Sequence, residues 1–304
     1  MHWNDSSSEL FLLQTDSLTG LPLAPNTSDR LAAGDYTLTI AARSDGLISA
    51  FRGDQIDGNR DGITGDAFVY SFSKTSSDHL ISIGDTARGA GQSLGLNGPD
   101  TKNQISGLPV LISTSSEITE LHGTLSYDTT ALANVSLEHG RQLPENWSLS
   151  YQDDGNGTIT YSATGNTAIT GTDLELFRFS ATVTAEAEYG SSTLIQATAA
   201  STTDPSLSFD SDPSLVVIAY SGDSTGNGDY SGLDASRVQR VVVGLDSGFD
   251  FFDDYAPMII SDTTGNGDLS GFDASRIQRR VVGLEADTFL QIPDLTDLGN
   301  TSVI

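Results

Sequence analysis

DSTGNGDYSGLDASRVQRVVVGL (residues 223–245) returns 39 residues later (262 − 223) as DTTGNGDLSGFDASRIQRRVVGL (residues 262–284), with five of the 23 aligned positions changed. Each copy is an oxygen-rich loop running into a segment of helical apolar spacing, so the pattern predicts a loop and a helix, twice. Oxygen donors on alternate residues of a tight loop suit a hard cation, and Ca2+ is the expected one. In the first copy Asp223, Thr225 and Asn227 hold the first, third and fifth positions, and Gly228 the sixth, where the chain turns sharply. Asp229 is expected to offer its backbone carbonyl, Ser231 to hold a water, and Asp234 to close the loop at the twelfth position. The second copy repeats the set with Asp262, Thr264, Asn266, Asp268, Ser270 and Asp273. Asp rather than Glu closes both loops and Thr stands third, a weaker donor set than the general loop pattern.

Leu233, Val238, Val241, Val242 and Leu245 recur at helical spacing, as do Phe272, Ile277, Val281 and Leu284. They give each helix a clear apolar face, with Arg237, Arg240, Arg276 and Arg279 largely outside it. Gly244 and Gly283 mark the helix ends. Two short helices cannot bury enough surface separately, so they are expected to pack as a pseudo-symmetric pair.

The duplicated unit resembles a dockerin module. The resemblance implies two EF-hand-like loops, two bound Ca2+ ions and an adaptor that docks on a β-sandwich partner called a cohesin. It also implies partner contacts at Leu233, Gln239 and Arg240 and at Phe272, Gln278 and Arg279. The chain departs from cellulosomal dockerins in placing Gly-Leu and Gly-Phe where those carry small hydroxyl residues.

Outward from the repeats, the chain has 304 residues, 41 acidic and 14 basic, for a formal charge of −27. That charge excludes nucleic-acid binding, which needs basic patches, and suits a soluble chain neutralised in part by divalent cations. Cysteine is absent, so thiol chemistry and disulfides are excluded. No apolar run is long enough to span a membrane, and no membrane insertion is expected. The opening MHWNDSSSELF has neither the basic start nor the apolar stretch of a signal peptide and reads as an internal point of a longer protein.

Residues 80–220 alternate in short segments divided by Gly, Asp, Asn and Pro: LPVLIST (108–114), ELHGTLSYD (120–128), GTITYSA (157–163), LELFRFSATVTA (174–185), STLIQATAA (192–200) and SLVVIAY (214–220). This is the pattern of an antiparallel sandwich. Asp154-Gly155-Asn156-Gly157 is a hairpin turn by composition. Tyr127-Asp128 followed by Leu132, and Leu176-Phe177-Arg178-Phe179, make the block similar to a cohesin. The array of cohesin-like and dockerin-like parts resembles the ends of very long secreted bacterial surface or adhesin-type proteins.

Residues 34–73 hold two alternating strands, Tyr36–Ala41 and Ala67–Phe72, around the acidic loop Asp57, Asn59, Asp61, Gly62 and Asp66. A third Ca2+ is expected there, with Ile63 offering its carbonyl and the loop stapling a hairpin. The segment resembles the last strands of bacterial Ig-like domains.

The chain shows no nucleophile elbow, phosphate loop or His-Glu-x-x-His, and its His2, His79, His122 and His139 have no metal spacing. The expected fold is mainly β with a small α module: an antiparallel, jelly-roll-like sandwich (76–220) between a partial Ig-like segment (1–75) and the two-helix module with its tail (221–304). The expected function is non-enzymatic, calcium-dependent protein–protein interaction at a bacterial surface or in the medium. The partner is a cohesin- or dockerin-bearing protein, or another copy of the chain. The alternative is a glycan-binding sandwich with sugar stacking on aromatics such as Trp147.

Overall fold

The computed structural model describes residues 2–4, 9–11, 34–40, 57–58, 61, 63–74, 78–97, 105–201, 204–284 and 292–293. The chain divides into two compact units, residues 30–76 and residues 1–29 with 77–304.

The smaller unit is a hairpin. Strand β3 (Gly34–Ile40) pairs antiparallel with β4 (Phe68–Lys74) from Gly34↔Lys74 to Ile40↔Phe68. Period-two alternation sends Tyr36, Tyr70 and Phe72 to one face, where Tyr36 stacks on Phe72 at 5.6 Å and Tyr70 on Phe72 at 6.0 Å.

In the larger unit β1 (His2–Asn4) pairs with β2 (Glu9–Phe11). The sandwich strands are β5 (His79–Ile83), β6 (Thr86–Ala87), β7 (Gly95–Leu96), β8 (Ile105–Ser106), β9 (Leu108–Ser126), β10 (Leu132–His139), β11 (Trp147–Asp153), β12 (Thr158–Val183), β13 (Ser192–Ala197), β14 (Asp210–Asp212) and β15 (Ser214–Val217). Two of the expected strand pairs are single bent strands: 108–114 joins 120–128 in β9, and 157–163 joins 174–185 in β12. Register shifts between Thr164 and Phe177 let β12 change partners along β9 without a turn. The early half of β9 pairs with β5 and the late half of β12, and its late half with the early half of β12. The Asp154–Gly157 turn joins β11 to β12, with Asp153 opposite Ile159.

The core between these arms holds Ile81, Leu108, Ile112, Leu121, Leu125, Tyr161, Phe177 and Phe179, each at most 1% exposed. Each such side chain contributes roughly 1.5–3 kcal/mol on burial. Tyr127 packs against Phe179 and donates to the Asp153 carboxylate at 3.1 Å, so the Tyr-Asp segment ties the hairpin to the core.

After β15 come helices α1 (Gly232–Val242), α2 (Pro257–Ser261) and α3 (Gly271–Val281), with a 3-10 turn at Asp250–Phe252. Helices α1 and α3 pack on each other, and a second core is shared between helices and strands. It joins Ala87, Leu194, Leu215, Val217 and Ala219 to Ala235, Val238, Phe249, Phe252, Ile260, Ala274 and Ile277. The interface is the consequence of a two-residue connection, Ser221-Gly222, which is itself buried. Gly222 N donates to Ile260 O at 2.7 Å. Phe251 is half exposed and lies on the backbone of Gly226 and Gly190, where any Cβ would collide with its ring.

The inward faces of the helices overlap the expected stripes only in part, at Val238 and Ile277. Ala235 and Val238, with Ala274 and Ile277, are fully buried. Leu233, Val242 and Leu245, and Phe272, Val281 and Leu284, are exposed instead. Packing decides the inward face: these four side chains join Phe249, Phe252 and Ile260 in the shared core, which leaves the other face of each helix on the outer surface.

Candidate functional site

Both loops are built around a carboxylate that organises its own turn. Asp223 Oδ1 accepts from Gly226 N at 2.9 Å and Asn227 N at 3.3 Å, and its Oδ2 accepts from Gly228 N at 2.6 Å. Asp262 repeats this with Gly265 N at 2.7 Å, Asn266 N at 3.3 Å and Gly267 N at 2.8 Å. Gly228 and Gly267 have φ of 80° and 78°, the left-handed conformation that a Cβ disfavours.

The closing residues do two jobs. Asp234 Oδ1 accepts from Thr225 N at 2.9 Å, while its Oδ2 accepts from Ser231 N and Ser231 Oγ, both at 2.7 Å. Ser231 Oγ accepts in turn from Leu233 N, completing a capping box on α1. Asp273 and Ser270 do the same on α3. Ser231 and Ser270, expected to hold waters, are also helix caps. Asn227 Oδ1 and Asn266 Oδ1 accept from the backbone N–H of Asp229 and Asp268.

The donor set fits a divalent cation. Asp223 and Asp234 are both fully buried, and Thr225 Oγ1 lies 3.0 and 2.8 Å from their Oδ1 atoms. Thr264 Oγ1 lies 3.1 and 3.0 Å from Asp262 Oδ1 and Asp273 Oδ1. Among the described residues no Lys or Arg pairs with any of these four carboxylates. Burial raises the Asp223 carboxyl above the ordinary range, despite the hydrogen bonds from Tyr189 and Gly228, and the Asp234 charge adds to the rise. Burial raises Asp262 as well, and the Asp273 charge adds. Two carboxylates close together in low dielectric repel each other, and a bound cation relieves that repulsion.

The surroundings of the two loops differ. Tyr189, after β12, donates its hydroxyl to Asp223 Oδ2 at 2.6 Å and accepts from Tyr220 N at 3.0 Å. Burial, and then the charge of Asp223, hold its phenol well above the usual value. Asn97 Nδ2 donates to Ser221 Oγ at 2.8 Å and to Asp262 O at 2.7 Å. Behind Asn97 is Arg88, 1% exposed, which donates to Asn97 Oδ1 at 3.1 Å, to Ala87 O and to Gly95 O. Burial pushes its guanidinium down to about 10. Arg276, expected on the outer face, is 7% exposed and donates to Thr263 O. Neither Tyr189 nor Asn97 is distinguishable in the sequence, since their partners lie 34 and 165 residues away.

In the smaller unit Asp57, Asp61 and Asp66 each bring a carboxylate oxygen within 4.8 Å of the others. Asp57 and Asp66 bridge through backbone, Asp61 N donates to Asp57 Oδ1 at 3.1 Å, and Ile63 N donates to Asp61 Oδ1 at 2.8 Å. Asn59 lies outside the described residues.

All six expected contact residues, Leu233, Gln239, Arg240, Phe272, Gln278 and Arg279, are exposed. Leu233 is 58% and Phe272 78% exposed, at equivalent positions of the two helices. Arg240 is not a free cation, because Asp246 holds it through two hydrogen bonds of 2.6 and 2.7 Å. Trp147, on which a sugar platform would turn, is 4% exposed and donates to Thr167 O at 2.7 Å. It anchors the core and offers no ring to a ligand.

The fold defines a mainly antiparallel sandwich, in which β14 and β15 pair parallel with β5 and β6, with a duplicated loop–helix pair built onto it, and the sandwich is cohesin-like. Residues 103–215 match the family model described as Cohesin domain. Similar solved structures include the sixth cohesin of scaffoldin B from Acetivibrio cellulolyticus in complex with a mutant dockerin, at 18% identity over 47% of this chain and 99% of that one, TM-score 0.37. A non-cellulosomal cohesin from the hyperthermophilic archaeon Archaeoglobus fulgidus is 18% identical over 46% of this chain and 92% of that one, TM-score 0.34. The cohesin module of a family 33 glycoside hydrolase from Clostridium perfringens is 9% identical over 47% and 99%, TM-score 0.37. No curated protein matches the chain. Among the described residues no helix is long and apolar enough to cross a membrane.

Proposed function

We propose that this chain is a non-catalytic, calcium-dependent protein–protein interaction segment of a secreted or surface-attached protein, with a dockerin-like pair of helices fused to its cohesin-like sandwich. The observation that carries the reading is the pairing of two like sites. Each has two carboxylates with no cationic partner among the described residues, and each opens a helix whose bulky apolar residue, Leu233 or Phe272, faces outward. Calcium shapes the loops, the loops cap the helices, and the helices present the contact surface. The partner is a protein carrying a cohesin- or dockerin-type module, including a second copy of this chain. The 57–66 loop is proposed as a third, separate calcium site.

The test is light scattering of the full chain on a sizing column, with calcium and with chelator, for wild type and the double variant Leu233→Asp, Phe272→Asp. Calcium-dependent dimerisation of wild type, weakened at least tenfold in the variant at unchanged melting temperature, supports the reading. If neither thermal midpoint nor mass responds to calcium, the reading is wrong.

A further inference from the structure

The loops at 223–234 and 262–273 differ at three of twelve positions, Ser224/Thr263, Tyr230/Leu269 and Leu233/Phe272. Their internal hydrogen bonds also match, donor for donor, around the first carboxylate. One contact breaks the equivalence. Tyr189 Oη, from the sandwich, donates to Asp223 Oδ2, and Asp262 has no such donor among the described residues. We infer that Tyr189 is a positioning residue for the metal of the first loop and that it makes two nearly identical loops unequal calcium sites, the first tight and the second weak. The inference rests on the calcium reading of these loops proposed above.

The physical argument has three parts. A carboxylate that ligates a cation must hold its orientation, and a donor on its other oxygen fixes that orientation before the ion arrives. Tyr189 is itself held, since Tyr220 N donates to the same oxygen and the two rings pack at 5.5 Å. Finally, Asp223 is fully buried where its counterpart Asp262 is half-buried, and Gly226 and Gly228 are half-buried where Gly265 and Gly267 are exposed. Attraction between ion and ligand is screened less in the first loop than in the second. The second loop is tied to the sandwich too, through Asn97, but by its backbone carbonyl and not by a carboxylate oxygen. The first loop is thus the one whose metal ligand the sandwich positions directly.

The experiment is calcium titration calorimetry on full-length single-loop variants. Asp273→Asn leaves the first loop to be read, and Asp234→Asn leaves the second. The first loop is expected to bind at least tenfold tighter, from the usual 10–100-fold effect of such outer contacts. Tyr189→Phe is expected to weaken binding about tenfold in the Asp273→Asn background and to leave it within twofold in the Asp234→Asn background. Equal affinities of the two single-loop proteins would overturn the inference, even if the phenylalanine variant does not fold. So would an equal effect of Tyr189→Phe on both. If wild type takes up no calcium, the calcium reading itself falls and this inference with it, a result distinct from two equal sites.

Discussion

The loop closed by Asp234 and the loop closed by Asp66 carry the same alternation of oxygen donors in sequence, yet they are different objects. In the first, the closing carboxylate is fully buried, caps a helix and accepts from the backbone of its own loop. In the second, Asp61 is exposed, a strand follows, and the unit is a two-stranded hairpin. The lesson is that donor alternation identifies what a loop can bind, while its cover decides how much of the fold depends on it.

The strongest way to break that comparison is Asp234→Ala. It removes the acceptor for Thr225 N and Ser231 N and opens the capping box, leaving half-buried N–H groups without partners. The expected loss is about 3–5 kcal/mol, summing a cap and unpaired half-buried donors. Chemical denaturation of the full chain in calcium should read it, and a loss below about 1 kcal/mol would mean the carboxylate is dispensable to the fold.

A buried carboxylate outside any loop provides the next measurement. Asp85 accepts from Leu215 N at 2.7 Å, and burial, with the Asp212 charge, pushes its carboxyl from 3.8 up to about 7. Because the folded value is the higher one, its contribution is fully present below about pH 4 and is lost as pH rises toward about 7. At about 1.4 kcal/mol per unit the ceiling is about 4 kcal/mol, and partial solvent contact brings the expected loss to the order of 2 kcal/mol. Asp85→Asn should flatten stability against pH across that window. An unchanged slope would assign the dependence elsewhere.

The smallest effect is expected in the hairpin. Asp61→Ala should abolish one calorimetric calcium site while shifting the main unfolding transition by less than about 0.5 kcal/mol, since exposed surface positions rarely matter more. A larger shift would mean that the two loops are energetically alike after all.

Much of this was readable in the sequence, for identifiable reasons. The duplicated loops could be read because each oxygen donor is fixed by local spacing, and the Asp154–Gly157 hairpin because its glycines declare it. The continuity of β12 could not. Gly165, Asn166 and Gly171 have loop composition, yet they lie within the strand, where register shifts absorb the bends. The helix faces were legible only in part: Val238 and Ile277 stand in the apolar stripes and are buried, but only packing reveals that Ala235 joins Val238 while Leu233 and Val242 do not. Arg276 was misjudged likewise, since its acceptor is a carbonyl thirteen residues earlier in the chain. Tyr189 carried no signal at all, for its partner is brought to it by the fold alone.

The core shared by Val217, Ala219, Phe252 and Ile260 has a consequence for anyone who would treat the C-terminal repeats as a cassette. Cut out at residue 221, they would arrive elsewhere with one flank stripped, and the sandwich left behind would show Leu215 and Val217 to water. Portability and coupling exclude each other here: the helices cannot be moved as a tag, and they can report to the sandwich whatever they bind.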